Sequence, residues 1–363
     1  MGLGCRWLQV GCVAAIVQAA SGLALSADPQ VVAGPASGFA ELRRDWFDAD
    51  AAPQSTSLLE LAAAQAATSD ANSPADEDLY DVAFRGGNDR LFGLFGRSDR
   101  EFWHFVSPQS NPLFFEDPRT LTELRLHFAN QWIPNSNPVF QGGTAQYVAA
   151  QIRVAITERL SVIATKDGYF WLNPANPGVA DTEGFADIGG GLKYNFYRNC
   201  ETQTLASAGF TYCMPSGAQR VFQGNGNGEW HLFLSGGKEF FGCAHWVSGA
   251  GLRIPNDGTA QSKMSYWSNS FDVQLTKRIY ALTQVNWFHW YDSGNALAAN
   301  FEGNDLFNLG SNDVAGNDIV TASYGTRLKF GSYHEAGIAY EIPLTQRKDL
   351  LESRLYLDLT LRY

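Results

Sequence analysis

The sequence predicts an all-β fold: a transmembrane antiparallel up-and-down β-barrel of about 12 strands behind a mostly irregular N-terminal extension. Three observations point there. From Thr120 onward, apolar and polar residues alternate with a period of two. The connections between the alternating segments are short and long by turns, and the last segment is amphipathic throughout and closes on Tyr363. A half-buried strand explains the alternation, because successive side chains point to opposite faces. Bacterial membrane barrels sort their connections in this way, with short turns at one end and long loops at the other. A Greek-key sandwich has no reason to do so.

Composition agrees with this and excludes other classes. Only 17% of the 363 residues are charged, against 36 Gly, 24 Phe, 14 Tyr and 10 Trp. That balance suits many short strands and turns better than a helix-rich enzyme. A formal net charge of −11 without any Lys/Arg cluster argues against nucleic acid as a partner. After the N-terminal stretch no run of about 20 apolar residues occurs, so helical membrane spans are not expected.

The elements follow in order. Arg6 precedes an apolar stretch from Trp7 to Leu25, and the small residues Ala24, Ser26 and Ala27 follow, so residues 1–27 read as a signal peptide. An uncleaved anchor is the weaker reading, since Gln9 and Gln18 interrupt the apolar run. Residues 28–78 are rich in Ala, Ser and Asp and too poor in large apolar groups to offset their ordering entropy; they are expected to be a disordered periplasmic linker. Residues 79–119 are aromatic and Pro-rich, and Pro108, Pro112 and Pro118 break any long element. The rings of Phe102, Trp103, Phe105, Phe114 and Phe115 must be buried somewhere, and we expect them to plug or constrict the barrel or to pack on its rim.

Residues 120–363 form the barrel. Strands are expected near 120–131, 145–157, 159–167, 183–197, 203–213, 229–241, 244–254, 265–275, 278–290, 317–330, 333–342 and 352–363. Long loops are then expected at 132–144, 168–182, 214–228, 255–264, 291–316 and 343–351. One face of the wall carries charges of both signs: Glu123, Arg125, Arg153, Asp187, Lys193, Arg327, Lys329, Glu352, Arg354, Asp358 and Arg362 are expected to line the lumen. The same groups could instead pair into a sealed lumen, and a barrel of about 12 strands lies between the filled and the open sizes. On the other face Tyr169, Phe170, Trp171, Tyr266, Trp267, Trp287, Trp290, Tyr291, Tyr333 and Tyr363 are expected to form interfacial girdles, with some turned inward.

Three further features bear on chemistry. Cys200 and Cys243 fall at turns and are the pair expected if a disulfide forms, with three free thiols (Cys213 included) as the alternative. The oxygen-rich stretch 301–318 has no EF-hand spacing, so no metal or other cofactor is expected. Barrel hydrolases place Ser and His on one strand face. None of His104, His127, His231, His245, His289 and His334 is followed two residues later by Ser, so catalysis is not expected.

The terminal strand, with Leu357, Leu359, Leu361 and Tyr363 on one face, looks like the C-terminal β-signal that the barrel assembly machinery reads. Residues 111–363 also resemble the phenol-degradation-pathway outer-membrane family, through Asn111-Pro112-Leu113-Phe114-Phe115-Glu116-Asp117-Pro118-Arg119, Ala164-Thr165-Lys166-Asp167-Gly168-Tyr169, Gly189-Gly190-Gly191-Leu192-Lys193-Tyr194 and Phe301-Glu302-Gly303. That resemblance implies a transporter-like outer-membrane protein. The expectation is therefore a narrow channel or facilitator for passive uptake of small solutes, apolar or aromatic ones among them, with both termini in the periplasm. A structural or adhesive barrel with a closed lumen is the alternative. Outer-membrane lipids, lipopolysaccharide, the assembly machinery and a small solute are the expected partners.

Overall fold

The computed structural model describes residues 91, 94–331 and 333–363; the expected signal peptide (1–27), the linker (28–78) and the start of the aromatic segment lie outside the described residues. The strands are β1 (Glu123–Trp132), β2 (Gly143–Ala155), β3 (Leu160–Lys166), β4 (Tyr169–Pro174), β5 (Thr182–Phe185), β6 (Ile188–Asn199) and β7 (Thr204–Met214). They continue with β8 (Glu229–Phe240), β9 (Ala244–Pro255), β10 (Lys263–Gln274), β11 (Ile279–Asp292), β12 (Asp318–Phe330), β13 (His334–Pro343) and β14 (Ser353–Arg362). Neighbours pair antiparallel, and β14 closes the sheet on β1 from Glu123↔Arg362 to Trp132↔Ser353.

Two of the wall's staves are interrupted. β2 pairs with β3 along Ile152–Ala155 and with β4 along Gly143–Val148; β6 and β5 then take β3 and β4 in turn. Thus β3 with β4, and β5 with β6, count as one stave each, and the barrel is twelve-stranded and closed. The break falls at Gly168, whose φ is +115° and whose Cβ, if it had one, would lie 2.2 Å from the Val148 carbonyl oxygen. Only glycine fits that approach. The long loop expected at 168–182 is corrected here, because pairing resumes at Tyr169 and lasts to Pro174. Gly168 kinks a strand that it was expected to end.

Alternation decides which face each side chain takes. Along β14, Leu357 and Leu361 are exposed outward, whereas Arg354, Tyr356, Asp358, Thr360 and Arg362 are buried inward. Three of the ten expected girdle aromatics, Phe170, Tyr266 and Trp290, are buried in the lumen, since each sits between outward neighbours on its strand. Cys200 is an exposed free thiol and Cys213 a buried one, so the expected Cys200–Cys243 pair is not formed. Among the described residues no helix is long and apolar enough to cross a membrane.

Candidate functional site: a lumen filled from both ends

Every residue from Phe105 to Glu123 is buried, although none before Glu123 belongs to a strand. The segment enters the barrel beside Ser98, whose amide donates to the Tyr363 carbonyl, and Asp99, whose amide donates to the Thr120 carbonyl. It rises to a turn at Asn111, where φ is +54° and the carbonyl accepts from the Phe114 and Phe115 amides, and then descends to β1. Such a Pro-rich stretch has few backbone bonds of its own, so the wall must satisfy it.

Neutral wall groups such as Gln151, Tyr266 and Gln284 donate to the carbonyls of Pro112, Phe114 and Ser110, and wall cations serve the rest of the segment. Lys329 Nζ donates to the carbonyls of Trp103, His104 and Phe105. Arg125 and Arg327 both donate to the Pro108 carbonyl, and Lys193 Nζ donates to that of Asp117 at 2.6 Å. Arg362 Nη2 reaches Ser107 Oγ at 2.6 Å. Arg153 holds Glu116 through Nε at 3.0 Å and Glu123 through Nη1 at 3.2 Å. Within the segment, Arg119 and Asp117 pair at 2.6 Å, and Asp117 also accepts from Ser107 Oγ at 2.7 Å. Burial raises the Glu116 carboxyl, but the Arg153 guanidinium and Lys193 ammonium outweigh it and hold Glu116 at about 2. Asp117 is likewise pushed up by burial and pulled far below the usual carboxylate range by Arg119.

The wall is also shaped for this tenant. A Cβ at Gly237 would lie 2.9 Å from Phe105 Cε1, one at Gly249 2.7 Å from Phe115 Cδ2, and one at Gly337 1.9 Å from the Gln109 side-chain nitrogen. These glycines stand where the segment's side chains press against the wall. Replacing Gly249 by leucine is expected to evict Phe115 while the strand ladder persists. Trypsin should then cut after Arg119, a bond it leaves intact in the parent protein; continued resistance would refute the fit.

From the other end, the loop between β11 and β12 folds inward. Glu302 organises it, accepting from the Leu309 and Ser311 amides (both 2.9 Å) and from Ser262 Oγ at 2.7 Å. Arg354 grips Asp305 at 2.9 Å and lies 3.3 Å from Glu341. The oxygen-rich loop thus uses its carboxylates on itself and on the wall, and among the described residues no cluster suits a metal. The two fillings meet at Arg253, which donates to the Asn304 and Phe307 carbonyls (3.1 and 3.3 Å) and lies 5.7 Å from the Phe114 ring.

Most of the expected lumen-facing residues are where the alternation puts them. Glu123, Arg125, Arg153, Asp187, Lys193, Arg327, Lys329, Arg354, Asp358 and Arg362 are all buried inside the barrel. Glu352 is corrected: it precedes β14, is exposed, and pairs with Lys348 at 2.7 Å. Phe102, Phe105, Phe114 and Phe115 are buried, but Trp103 is 45% exposed and packs at a tilt against His104, so it lies outside the packed filling. The segment turns there, which points this one ring away from its neighbours. Sequence reasoning missed Arg119, Asp117 and Glu116 as the ionic anchors, because charges beside prolines read as loop residues.

No protein-family model matches the chain, and no curated protein does. Among solved structures the chain is similar to an outer membrane channel from Pseudomonas putida F1, with a TM-score of 0.51 and 11% identity over 71% of this chain and 100% of that one. The fold is that of a bacterial outer-membrane β-barrel. NanC porin (TM-score 0.43, 7% identity, 67% of this chain and 100% of that one) and KdgM porin (0.39, 9%, 66% and 99%) are more distant. At such identities the likeness is one of fold, and function must be argued from the site.

Proposed function

We propose that this outer-membrane barrel is a narrow channel or facilitator for small solutes, closed in this state by residues 98–122. One observation carries the reading: the lumen is filled by a separate chain segment, and six wall cations (Arg125, Arg153, Lys193, Arg327, Lys329, Arg362) reach that segment. A barrel built only as a scaffold can fill its lumen with its own side chains. A polar wall around a removable insert describes a plugged conduit. Cleared of the segment, these cations would line the conduit together with Glu123, Glu335 and Asp358 and favour anions. Phe102, Phe105, Phe114 and Phe115 are then the closing rings. The resemblance to the phenol-degradation-pathway family and the apolar layer around Phe114, Tyr266, Phe288 and Trp290 favour apolar or aromatic solutes.

In this reading the long-loop end faces outward and the short-turn end, with both termini, faces the periplasm. The signal peptide brings the chain there, the assembly machinery reads Leu357, Leu359, Leu361 and Tyr363, and lipopolysaccharide surrounds the loops. Planar-bilayer recording of the folded protein tests the channel directly: rare unitary currents are expected, rising when the segment's anchors are removed. Silence from every such variant would leave the structural or adhesive reading.

The pH dependence has a definite sign. Glu116 is held at about 2 when docked and returns towards 4.5 when released. Its contribution to docking is complete above about pH 4.5 and is lost as pH falls through about 2. Pepsin should therefore spare the Phe114–Phe115 bond at about pH 4 and cut it near pH 2. Cutting at both would show that the ion pairs do not hold the segment.

A further inference from the structure

On the outer face of the barrel, three side chains from three successive strands lie in one row. Ser265 of β10 stands directly opposite His289 of β11, and His289 stands directly opposite Asp318 at the start of β12. Outward alternation places all three on the lipid side. His289 Nδ1 lies 2.9 Å from Asp318 Oδ1, and the Trp287 indole donates to that same oxygen at 2.7 Å while its ring stacks on the imidazole. The carboxylate therefore accepts a hydrogen bond from Nδ1–H, which keeps the proton on Nδ1 and leaves Nε2 with its lone pair, the tautomer a general base requires.

Ser265 also lines an apolar groove of about 660 Å³ on the outer wall. The groove runs from the row of Ser265, Leu252 and Leu232 to the row of Trp267, Ala250 and Leu234, away from the long-loop end. The serine is thus at the groove's outer end, level with His289 and so between Trp287 and Tyr291 of β11, where aromatic girdles meet lipid headgroups. An ester lies at that level in a membrane lipid, and its acyl chain runs inward from it.

We propose that Ser265, His289 and Asp318 form a serine esterase site on the barrel's outer face, acting on O-acyl esters of membrane lipids held by their chains in this groove. Ser265 Oγ attacks the ester carbonyl carbon as its proton passes to His289 Nε2. The tetrahedral intermediate expels the alcohol, which takes that proton, and the acyl group remains on Ser265. A water molecule then attacks with His289 again as base, releasing the fatty acid and restoring the serine. Asp318 is a positioning residue that fixes the imidazole. Lys263, two residues before Ser265 on the same face, is paired with Asp292 at 2.5 Å. Ser265 Oγ is not hydrogen-bonded to His289 here; residues directly opposite in a sheet have Cβ atoms about 5 Å apart, so a side-chain rotation closes the gap. The site is separate from the lumen and does not rest on the channel reading.

The test is to treat the folded full-length protein, its fold checked by heat-modifiable gel mobility, with a long-chain alkyl fluorophosphonate and to locate the adduct by peptide mass spectrometry. Label on Ser265 is expected. It should disappear in Ser265→Ala, fall about 10³-fold in rate in His289→Gln, and persist in Ser248→Ala, another outward serine outside the groove. A folded barrel that takes no label, or label that survives Ser265→Ala, overturns the proposal. Vesicles then identify the lipid: fatty acid from phosphatidylethanolamine vesicles indicates glycerolipid esters, and release only from lipopolysaccharide-containing vesicles indicates saccharide-linked acyl chains. Labelled Ser265 with release from neither would overturn the esterase.

Discussion

Replacing Arg153 with methionine is expected to raise the open probability of the barrel about 10²-fold or more in planar bilayers. The side chain is fully buried and spans the boundary between wall and insert, holding Glu116 of the segment and Glu123 of β1. Removing one partner of a buried ion pair costs about 3–5 kcal/mol, mainly because the other charge is left in a poorly solvated place. Glu123 keeps Arg362 at 2.7 Å, so the wall retains a counter-charge. Glu116 keeps only Lys193, at 3.4 Å, and must either take up a proton or leave. The docked state therefore loses more than the released state does. Lysine at 153 should recover part of the closure, since it restores the charge without the fork that reaches both carboxylates. Currents no more frequent than in the parent protein would show that the segment is held by packing.

Asp305→Ala is expected to free the inward-folded loop at the opposite end. Arg354 Nη1 binds both Asp305 oxygens, at 2.9 and 3.0 Å, and both side chains are buried. Without Asp305 the guanidinium retains Glu341 on the wall, while the loop loses its strongest tie, at a cost of about 3–5 kcal/mol. The Leu309 and Ser311 amides, which donate to Glu302 in the docked loop, should then exchange with solvent about 10²–10³-fold faster. The segment at the other end should be unaffected, because its anchors are different residues. Unchanged exchange would place the loop's stability in the apolar contacts of Phe301, Leu306 and Phe307. The two substitutions together address the two ends of the same lumen.

Much of this was legible without coordinates. Period-two alternation located every stave, all but one of them to within a few residues, because a lipid face and a polar interior impose opposite chemistry on neighbouring positions. It failed at Gly168, where a kink resembled an end, and at Glu352, where the alternating pattern ran past the true start of β14. Trp103 could not be told from Phe102 by composition. Its exposure follows from a turn in an irregular segment, which has no period to read.

By itself the sequence determined the barrel, its strand number and the sidedness of its wall, since each rests on local alternation and on the sorting of loop lengths. Only the tertiary structure decided what fills the lumen. Segment 98–122 and the loop around Glu302 find their partners far along the chain, and nothing local marks Arg153 for Glu116 or Arg354 for Asp305. The outer-face row was invisible for the same reason. Ser and His two apart on one strand share a face by local alternation, whereas Ser265, His289 and Asp318 are brought together by register across three strands. Register is fixed by the turns and by pairing along each whole strand, so it emerges only when the sheet closes.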